Sequence, residues 1–276
     1  MAADTLGVRN FKATIEYDGT EFAGFQWQSG TRTVQGELER AIAERTGQII
    51  RLTGAGRTDA GVHALGQVVS FGVETRIPLD KMAVALNSAL PSDIAVRDVQ
   101  EASADFSARF SASSRVYLYV IHNSSVRSPL WRRFAAHCRE PLNAERMNEA
   151  AQLLLGERDF ASFTNQLVAG EPTMRDLTEC RVRRHRELIF IRLEANAFLR
   201  GMVRNTVGTL MQVGVGVLKP TDLIDILDAR DRRAAGPSAP PQGLCLVRVR
   251  YGLWRNYPRN NATAVAEYQA HSQAER

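Results

Sequence analysis

The chain has 276 residues, of which 44% are hydrophobic, so it is long enough to bury the core of one large domain or of two smaller ones. No stretch reaches the roughly 18 consecutive apolar residues of a membrane span. The first residues also lack the basic-then-apolar pattern of an export signal. We therefore expect a cytoplasmic protein that does not enter a membrane.

Arginine carries nearly all of the positive charge. The formal net charge is +5, and the only lysines among the 35 Lys and Arg residues are Lys12, Lys81 and Lys219. A guanidinium group binds phosphate through two hydrogen bonds and stacks on bases, so this composition favours a nucleic acid as partner. A GC-rich genome that encodes its cations as arginine would produce the same composition.

The cysteines and histidines form no recognisable metal or disulfide pattern. Cys138, Cys180 and Cys245 lie far apart and include no CxxC pair, and the five histidines show no pair at ligand spacing. We expect free thiols, a reducing compartment and no bound metal.

In chain order, the first half alternates between strand and helix patterns. Apolar and polar residues alternate over 11–17, and a helical stripe follows between a Thr33 cap and Gly47. Further strands are predicted at 48–53, 67–73 and 94–99, and a second helix at 79–90. The order β-α-β-β-α-β is typical of helices packed on one face of a mostly antiparallel sheet.

The second half of the chain repeats this order. Strands are predicted at 116–121, 177–184, 188–195 and 244–251, and helices at 143–155 and 198–213. We therefore predict an α+β protein with an N-terminal half at 8–110, a C-terminal half at 111–256 and a polar tail at 257–276.

Residues 54–64, with the sequence GAGRTDAGVHA, form a glycine-rich loop between two predicted strands. Glycines allow close approach to the backbone, so the side chains between them can point at a ligand. Asp59 stands where a dinucleotide fingerprint has its third glycine, and no Gly-Lys-Ser/Thr follows, so neither motif is indicated. Asp59 can act as a nucleophile or general base, and Arg57 could favour its ionised form or bind a phosphate. The alternative is an aspartate that only hydrogen-bonds its own turn.

The segment GRTDAGVHALGQVVSF at 56–71 resembles the signature of the TruA family of tRNA pseudouridine synthases. Three further segments agree in order and spacing: YDGT with FAGFQ at 17–26, SSRVYLY at 113–119 and FLRGMVRN at 198–205. The resemblance extends over residues 8–255, nearly the whole chain.

This resemblance implies two ferredoxin-like halves whose mostly antiparallel sheets adjoin, with the active site in the cleft between them. It implies a homodimer that binds tRNA and isomerises uridines at tRNA positions 38, 39 and 40, in the anticodon stem-loop, without a cofactor. Asp59 is then the catalytic nucleophile, Tyr117 stacks on the target base, and Arg204 pairs with the carboxylate. Attack on C1′, attack on C6 and removal of the 2′ proton all remain open.

Two other classes of protein are also compatible with the residues. An RNA-binding module of RRM type shares the element order, but no aromatic RNP-type strand is found and such a module does not need the turn around Asp59. A hydrolase with two carboxylates requires a second acid near Asp59, for which the candidates are Glu74, Asp93 and Glu194.

Simpler structural interpretations compete with several of these roles. Without the resemblance, Tyr117 is interpreted as a tyrosine half-buried on a sheet, and Arg200 as part of a solvated helix face. Leu244 matches a family segment near the active site, where an apolar residue would exclude water. The arginine groups within 181–186 and 230–233 are equally compatible with solvated edges and are assigned no role.

Overall fold

The computed structural model describes residues 7–168, 170 and 172–252, and the predicted tail at 257–276 lies outside them. Within the described residues, ten strands form one sheet: β1 (Arg9–Tyr17), β2 (Thr53–Gly54), β3 (His63–Val73), β4 (Ile94–Glu101), β5 (Ala112–Asn123), β6 (Ala136–Cys138), β7 (Gly156–Asp159), β8 (Met174–His185), β9 (Leu188–Ala195) and β10 (Leu244–Tyr251). The α-helices in the same residues are α1 (Val34–Thr46), α2 (Leu79–Asn87), α3 (Ala144–Gln152), α4 (Met202–Gly214) and α5 (Asp222–Ala229).

The sheet runs continuously through both halves of the chain. Its strand order is β4-β1-β3-β10-β5-β9-β8-β7, with β2 paired to β3 and β6 paired to β5. The pairs β3 with β10 and β5 with β6 are parallel, and the other described pairs are antiparallel. The last strand, β10, lies between β3 of the first half and β5 of the second. The fold is therefore α+β with a mostly antiparallel sheet, and its two halves are joined by the final strand.

The helices pack on the face of the sheet where alternate strand residues are apolar. In β1 the core residues are Phe11, Ala13, Ile15 and Tyr17, and in α1 they are Val34, Leu38, Ala41 and Ile42. The predicted limits of α1 are confirmed: Thr33 Oγ1 accepts a hydrogen bond from Gly36 N–H, and the left-handed Gly47 ends the helix. Burying one such apolar side chain contributes about 1.5–3 kcal/mol, so the shared core stabilises these short helices.

The central strand β5 is buried on both of its faces. Tyr117, Tyr119 and Ile121 point toward the helices and the main core. On the opposite face lies a second cluster that contains Val116, Leu118, Val120, Ala135, Phe190 and Val247. A strand covered on both faces loses its apolar and polar alternation, which explains the nearly continuous apolar run in this segment.

The strand predicted at 48–53 is mostly a loop. Only Thr53 and Gly54 pair with β3. The backbone N–H of Leu52 donates to Oε1 of Glu39 on α1 at 3.1 Å, so a side chain takes the place of a neighbouring strand. The prediction was wrong here because a run of apolar residues does not show which hydrogen-bond partner the backbone finds.

The start of α4 and three short elements also differ from the predictions. The helix begins at Met202, a full turn after the predicted 198, because Gly201 before it has a left-handed conformation with φ of 75°. Helices α2 and α3 end slightly earlier than predicted. The elements β6, β7 and α5 are not predicted by the sequence patterns, and the first two are too short to show a period. In the described part of the chain, no helix combines the length and apolar character needed to cross a membrane.

Candidate active site

Asp59 lies where the two halves meet, and it is paired with an arginine from the other half. Its Oδ2 atom is 3.0 Å from Nη1 of Arg204, near the start of α4. The Asp59 side chain keeps 34% of its exposure and that of Arg204 keeps 19%. The carboxylate is therefore oriented by a cation and still reachable from solvent. Because such partly exposed pairs contribute little to folding, orientation is the main consequence.

The loop that carries Asp59 is held through the residue before it. Thr58 is buried, and its Oγ1 lies 2.8 Å from the hydroxyl oxygen of Tyr17 on β1. The Thr58 carbonyl accepts a hydrogen bond from the backbone N–H of Phe25 at 3.0 Å. The backbone that carries Asp59 is thus held in place by residues of the first half.

Glycines are required in this loop for two different reasons. Gly61 has φ of 77°, a left-handed conformation in which other residues are strained. At Gly54 a β-carbon would overlap the ring of Phe25. At Gly56 a β-carbon would lie 3.6 Å from the hydroxyl oxygen of Tyr117. The close approach at Gly54 is therefore made by an aromatic side chain of the protein itself, whereas the distance at Gly56 is an ordinary van der Waals contact.

Arg204 is oriented by the proline-rich segment 236–243. Its Nε donates a hydrogen bond to the carbonyl of Ala239 at 2.7 Å, and the Ala239 N–H donates to the Arg204 carbonyl at 3.0 Å. Gly208, one turn further along α4, lets this segment lie against the helix, because a β-carbon there would overlap the Pro237 carbonyl. One guanidinium nitrogen of Arg204 is therefore bonded to the backbone, while another reaches Asp59.

The neighbouring residue, Asn205, connects the segments that surround the start of α4. It is fully buried. Among the described residues, its side-chain amide has four hydrogen-bond partners, which are the Phe163 carbonyl, Asn165 Oδ1, Arg232 Nη2 and the Ser238 hydroxyl. A buried polar network whose members are all bonded is rigid. Because Ser238 directly precedes Ala239, this network also holds the carbonyl that orients Arg204.

Tyr117 lies near Asp59 on the helix side of β5. It is 7% exposed, and its ring meets Phe198 edge to face with centroids 5.1 Å apart. Burial raises the pKa of Tyr117 to about 12; the Arg115 guanidinium opposes this rise and the Asp59 carboxylate adds to it. The hydroxyl is therefore protonated at neutral pH and can donate a hydrogen bond.

No pattern in the sequence predicts a role for Arg115, yet its guanidinium links three segments of the chain. The residue is 9% exposed, and burial lowers the pKa of its guanidinium. Among the described residues its hydrogen-bond partners are all backbone carbonyls, those of Ala55, Arg109, Ala112 and Asn196. The available signal was its position two residues before Tyr117, which places a cation on the core face of β5.

The predicted cations other than Arg204 are not partners of Asp59. Arg57 is exposed, and in the described residues the ion pair of Asp59 is formed by Arg204. Arg200 lies before α4 rather than on it, is exposed, and donates to Oε1 of Gln166 at 2.8 Å. The loop thus presents Arg57 to the surroundings, where a phosphate could meet it.

The three acids considered as a second carboxylate have other environments. Both carboxylate oxygens of Asp93 accept hydrogen bonds from Arg32 at 2.8 Å. Glu194 is paired with Val116 across the sheet, so it shares the face opposite Tyr117, and its carboxylate lies 2.9 Å from Nε of Arg250. Glu74 follows β3 at the end of that strand away from the Asp59 loop. Residues 7–168, 170 and 172–252 contain no cluster of three or more potential metal ligands from His, Cys, Asp and Glu.

Known proteins similar to this chain show the family to which it belongs. The family described as tRNA pseudouridine synthase matches residues 13–111 and 150–252. Asp59 lies in the first matched segment and Arg204 in the second, whereas Tyr117 and Arg115 lie between them. The match includes well over half of the chain, and the chain belongs to the tRNA pseudouridine synthase family.

Individual relatives give the more particular assignment. The tRNA pseudouridine synthase A of Thermoanaerobacter sp. (strain X514) is 43% identical over 88% of this chain and 100% of its own length. Proteins with the same name from Caldicellulosiruptor saccharolyticus and Geobacter sulfurreducens are also 43% identical, with the same coverage of both chains. The chain is an isomerase that acts on tRNA and converts uridine into pseudouridine.

Proposed function

We propose that the chain isomerises uridines at positions 38, 39 and 40 of the tRNA anticodon stem-loop, with Asp59 as nucleophile and without a cofactor. The observation that carries this proposal is the pair formed by Asp59 and Arg204, one from each half of the chain, at 3.0 Å. A nearby guanidinium favours the ionised carboxylate, and partial exposure leaves it open to a substrate. The tRNA positions follow from the resemblance to the TruA family.

The chemistry conserves every atom of the substrate. The C1′–N1 bond breaks, the uracil rotates, and a C1′–C5 bond forms while C5 loses a proton and N1 gains one. No electrons are exchanged with another molecule, so the reaction needs no redox partner. The target nucleotide must leave the base stack before Asp59 can reach it. Asp59 then attacks C1′, attacks C6 or removes the 2′ proton, and these three routes remain open.

Within this proposal the other predicted site residues have distinct roles. Arg204 keeps the Asp59 carboxylate ionised and fixes its direction. Tyr117 offers an aromatic ring and a protonated hydroxyl to the displaced base. Arg57, which is exposed beside Thr58, binds a backbone phosphate of the RNA. Leu244 is buried at the start of β10, where it helps to keep water from the cleft.

We further propose that 8–110 and 111–256 are two ferredoxin-like halves. In the first half the strands follow the order β4-β1-β3-β2, and in the second they follow β10-β5-β9-β8. Both correspond to the order 4-1-3-2 for a β-α-β-β-α-β chain, which supports the duplication. Residues 253–256 of the second half lie outside the described residues.

The protein is also proposed to act as a homodimer in the cytoplasm. Its three cysteines are free and buried, which is compatible with a reducing compartment. The homodimer follows from the resemblance to the family, and light scattering of the purified protein measures it directly. A monomer at micromolar concentration would contradict this part of the proposal.

Replacement of the nucleophile tests the function. Asp59→Asn keeps the shape of the side chain but removes its charge, so pseudouridine formation in tRNA should fall on the order of 10⁴-fold. Binding of the same tRNA should be nearly unchanged. Asp80→Asn, on the exposed surface of α2, is the matched control and should retain full activity. Normal activity of Asp59→Asn would remove Asp59 from the mechanism.

The same assay separates the alternative classes of protein. Pseudouridine mapping on tRNA with and without the enzyme identifies the modified positions, and replacement of uridines 38–40 by cytidine should abolish the product. Release of free uracil would indicate a hydrolase. Binding of tRNA without any modification would indicate an RNA-binding module.

A further inference from the structure

The turn at 107–111 connects the end of the first half to the start of the second along the chain. It carries an exposed arginine and an exposed phenylalanine. Phe110 is 81% exposed, and the guanidinium carbon of Arg109 lies 5.2 Å from the centroid of its ring. We propose that Arg109 and Phe110 form a stacking platform for a base of the RNA strand next to the target uridine. This inference rests on the proposed function and adds a second RNA contact to the site.

Exposure by itself does not distinguish Phe110, because single apolar residues are common on protein surfaces. What distinguishes Phe110 is the rigidity of the turn that carries it. The Ser111 N–H donates to the Ser107 carbonyl at 2.9 Å, and the Ser107 N–H donates to the Ser111 hydroxyl at 3.1 Å. The Phe110 N–H lies 3.4 Å from the Ser107 hydroxyl. The backbone of the turn is therefore closed on itself while its two large side chains point outward.

The turn is also attached to strands on both sides. The Ala108 N–H donates to the hydroxyl of Ser70 on β3 at 3.0 Å. The hydroxyl of Tyr251 on β10 donates to the Ala108 carbonyl at 2.9 Å. A platform that binds a base loses little conformational entropy if its backbone is already fixed. This turn satisfies that condition.

Its position relative to Asp59 is defined by Arg115. The Nη2 atom of Arg115 donates to the carbonyl of Arg109 at 2.7 Å and to the carbonyl of Ala55 at 2.9 Å. Ala55 begins the loop that carries Asp59, and the next residue, Gly56, lies against Tyr117. One guanidinium nitrogen therefore joins the platform to the start of the loop that carries Asp59.

The positive charge of the platform comes from Arg109 itself, whose guanidinium lies over the ring of Phe110. Among the described residues, Arg109 forms no ion pair with a carboxylate, so its guanidinium is available to a phosphate or to the face of a base. When the target nucleotide is extruded, its neighbour loses one stacking partner, and an aromatic ring beside an arginine can replace it.

The test measures binding and turnover with an anticodon stem-loop RNA. Binding is compared in the Asp59→Asn background so that no product forms. Phe110→Ala should weaken binding about tenfold, since stacking contributes ~1–3 kcal/mol per base. Phe110→Tyr should bind like the parent. In the active enzyme Phe110→Ala should raise KM and leave kcat nearly unchanged. Arg109→Ala should weaken binding and lower the salt dependence by about one phosphate contact.

Matched controls come from exposed residues elsewhere. Leu130 is 85% exposed, and the residue after it, Trp131, packs against the opposite face of the sheet. Arg76 is exposed after the end of β3 that is distant from Asp59. Leu130→Ala and Arg76→Ala should bind the RNA like the parent. Equal binding by Phe110→Ala and Leu130→Ala would overturn the platform.

Two further outcomes distinguish this inference from the function itself. If the unmodified enzyme forms pseudouridine while both platform variants bind normally, the platform fails and the function stands. If the unmodified enzyme forms none, the proposed function fails regardless of the platform. Sedimentation of Phe110→Ala completes the test, because dissociation of subunits with unchanged RNA affinity would assign the residue to a protein interface instead.

Discussion

The two members of the Asp59–Arg204 pair are positioned in different ways. On the side of Asp59 the contacts hold the backbone of the loop, because the ring of Phe25 packs against Gly54 and Thr58 forms a hydrogen bond with Tyr17. On the side of Arg204, a buried amide network and a backbone carbonyl direct a guanidinium. The contacts near Asp59 hold the loop in place, whereas the hydrogen bonds at Arg204 give the charged group itself a direction.

This difference predicts different consequences of mutation. Changes to the residues that hold the Asp59 loop should mainly lower the free energy of unfolding, because they disturb the packing of the loop. Changes at Arg204 should mainly lower the rate, because the pair is partly exposed and contributes little to stability. Four variants test this difference between the two sides.

Arg204→Ala should reduce kcat by about 10²- to 10³-fold, in the range seen when one preorganised donor is removed from an active site. The physical reason is that Asp59 loses both its charge partner and its fixed direction. Single-turnover assays on tRNA measure this effect. Arg200→Ala is the control, since Arg200 is exposed and bonded to Gln166. A normal rate for Arg204→Ala would show that Asp59 acts without its partner.

Arg115→Met should lower the free energy of unfolding by about 3 kcal/mol, because several buried carbonyls lose their donor at once. Urea unfolding monitored by circular dichroism measures the change. Arg97→Met is the control: Arg97 is half-exposed and pairs with Glu16 on the surface, so its loss should cost at most about 1 kcal/mol. Equal effects of the two variants would contradict the linking role of Arg115.

Gly54→Ala should destabilise the protein by about 1–3 kcal/mol, since the added methyl group overlaps the ring of Phe25. Combination with Phe25→Leu, which removes part of the ring, should recover some of the loss. Thermal unfolding of the single and double variants measures this coupling. Strictly additive effects would show that the ring and the glycine do not depend on each other.

Tyr117→Phe should change how stability depends on alkaline pH. Burial raises the pKa of Tyr117 from 10.0 in the unfolded chain to about 12 in the fold. The contribution of Tyr117 to the free energy of unfolding is complete below pH 10. It is lost as the pH rises toward 12, because the unfolded state then releases a proton that the folded state keeps. The loss amounts to about 1.4 kcal/mol per pH unit. Unfolding free energies from pH 9 to 12 should therefore fall less steeply in Tyr117→Phe than in the parent.

The elements with a clear period were predictable from the sequence, and the irregular ones were not. Helix α1 has its cap at Thr33 and its end at Gly47 as predicted, because both signals act within one turn of the helix. The strand expected at 48–53 failed, since Glu39 of α1 captures the backbone N–H of Leu52. A local sequence pattern does not reveal hydrogen-bond partners that lie elsewhere in the chain.

The candidate site shows the same division. The glycine-rich motif singled out Asp59, and the family resemblance singled out Tyr117 and Arg204. Neither predicted that Arg115 would hold the loop through the carbonyl of Ala55. Every residue has a backbone carbonyl, so residue type does not show which one accepts a hydrogen bond. Arg57 is close to Asp59 in sequence, yet the ion pair is formed by Arg204 from the other half.

The amino-acid sequence was sufficient to predict which residues carry reactive groups, where α1 and most strands lie, and which family the loop resembles. Those features depend on residue type and on spacing within a few residues. The folded chain was needed to show that β10 lies between the two halves and that Arg115 holds the Asp59 loop through the carbonyl of Ala55. Such pairings depend on side-chain directions and backbone contacts between distant segments, which no local pattern encodes.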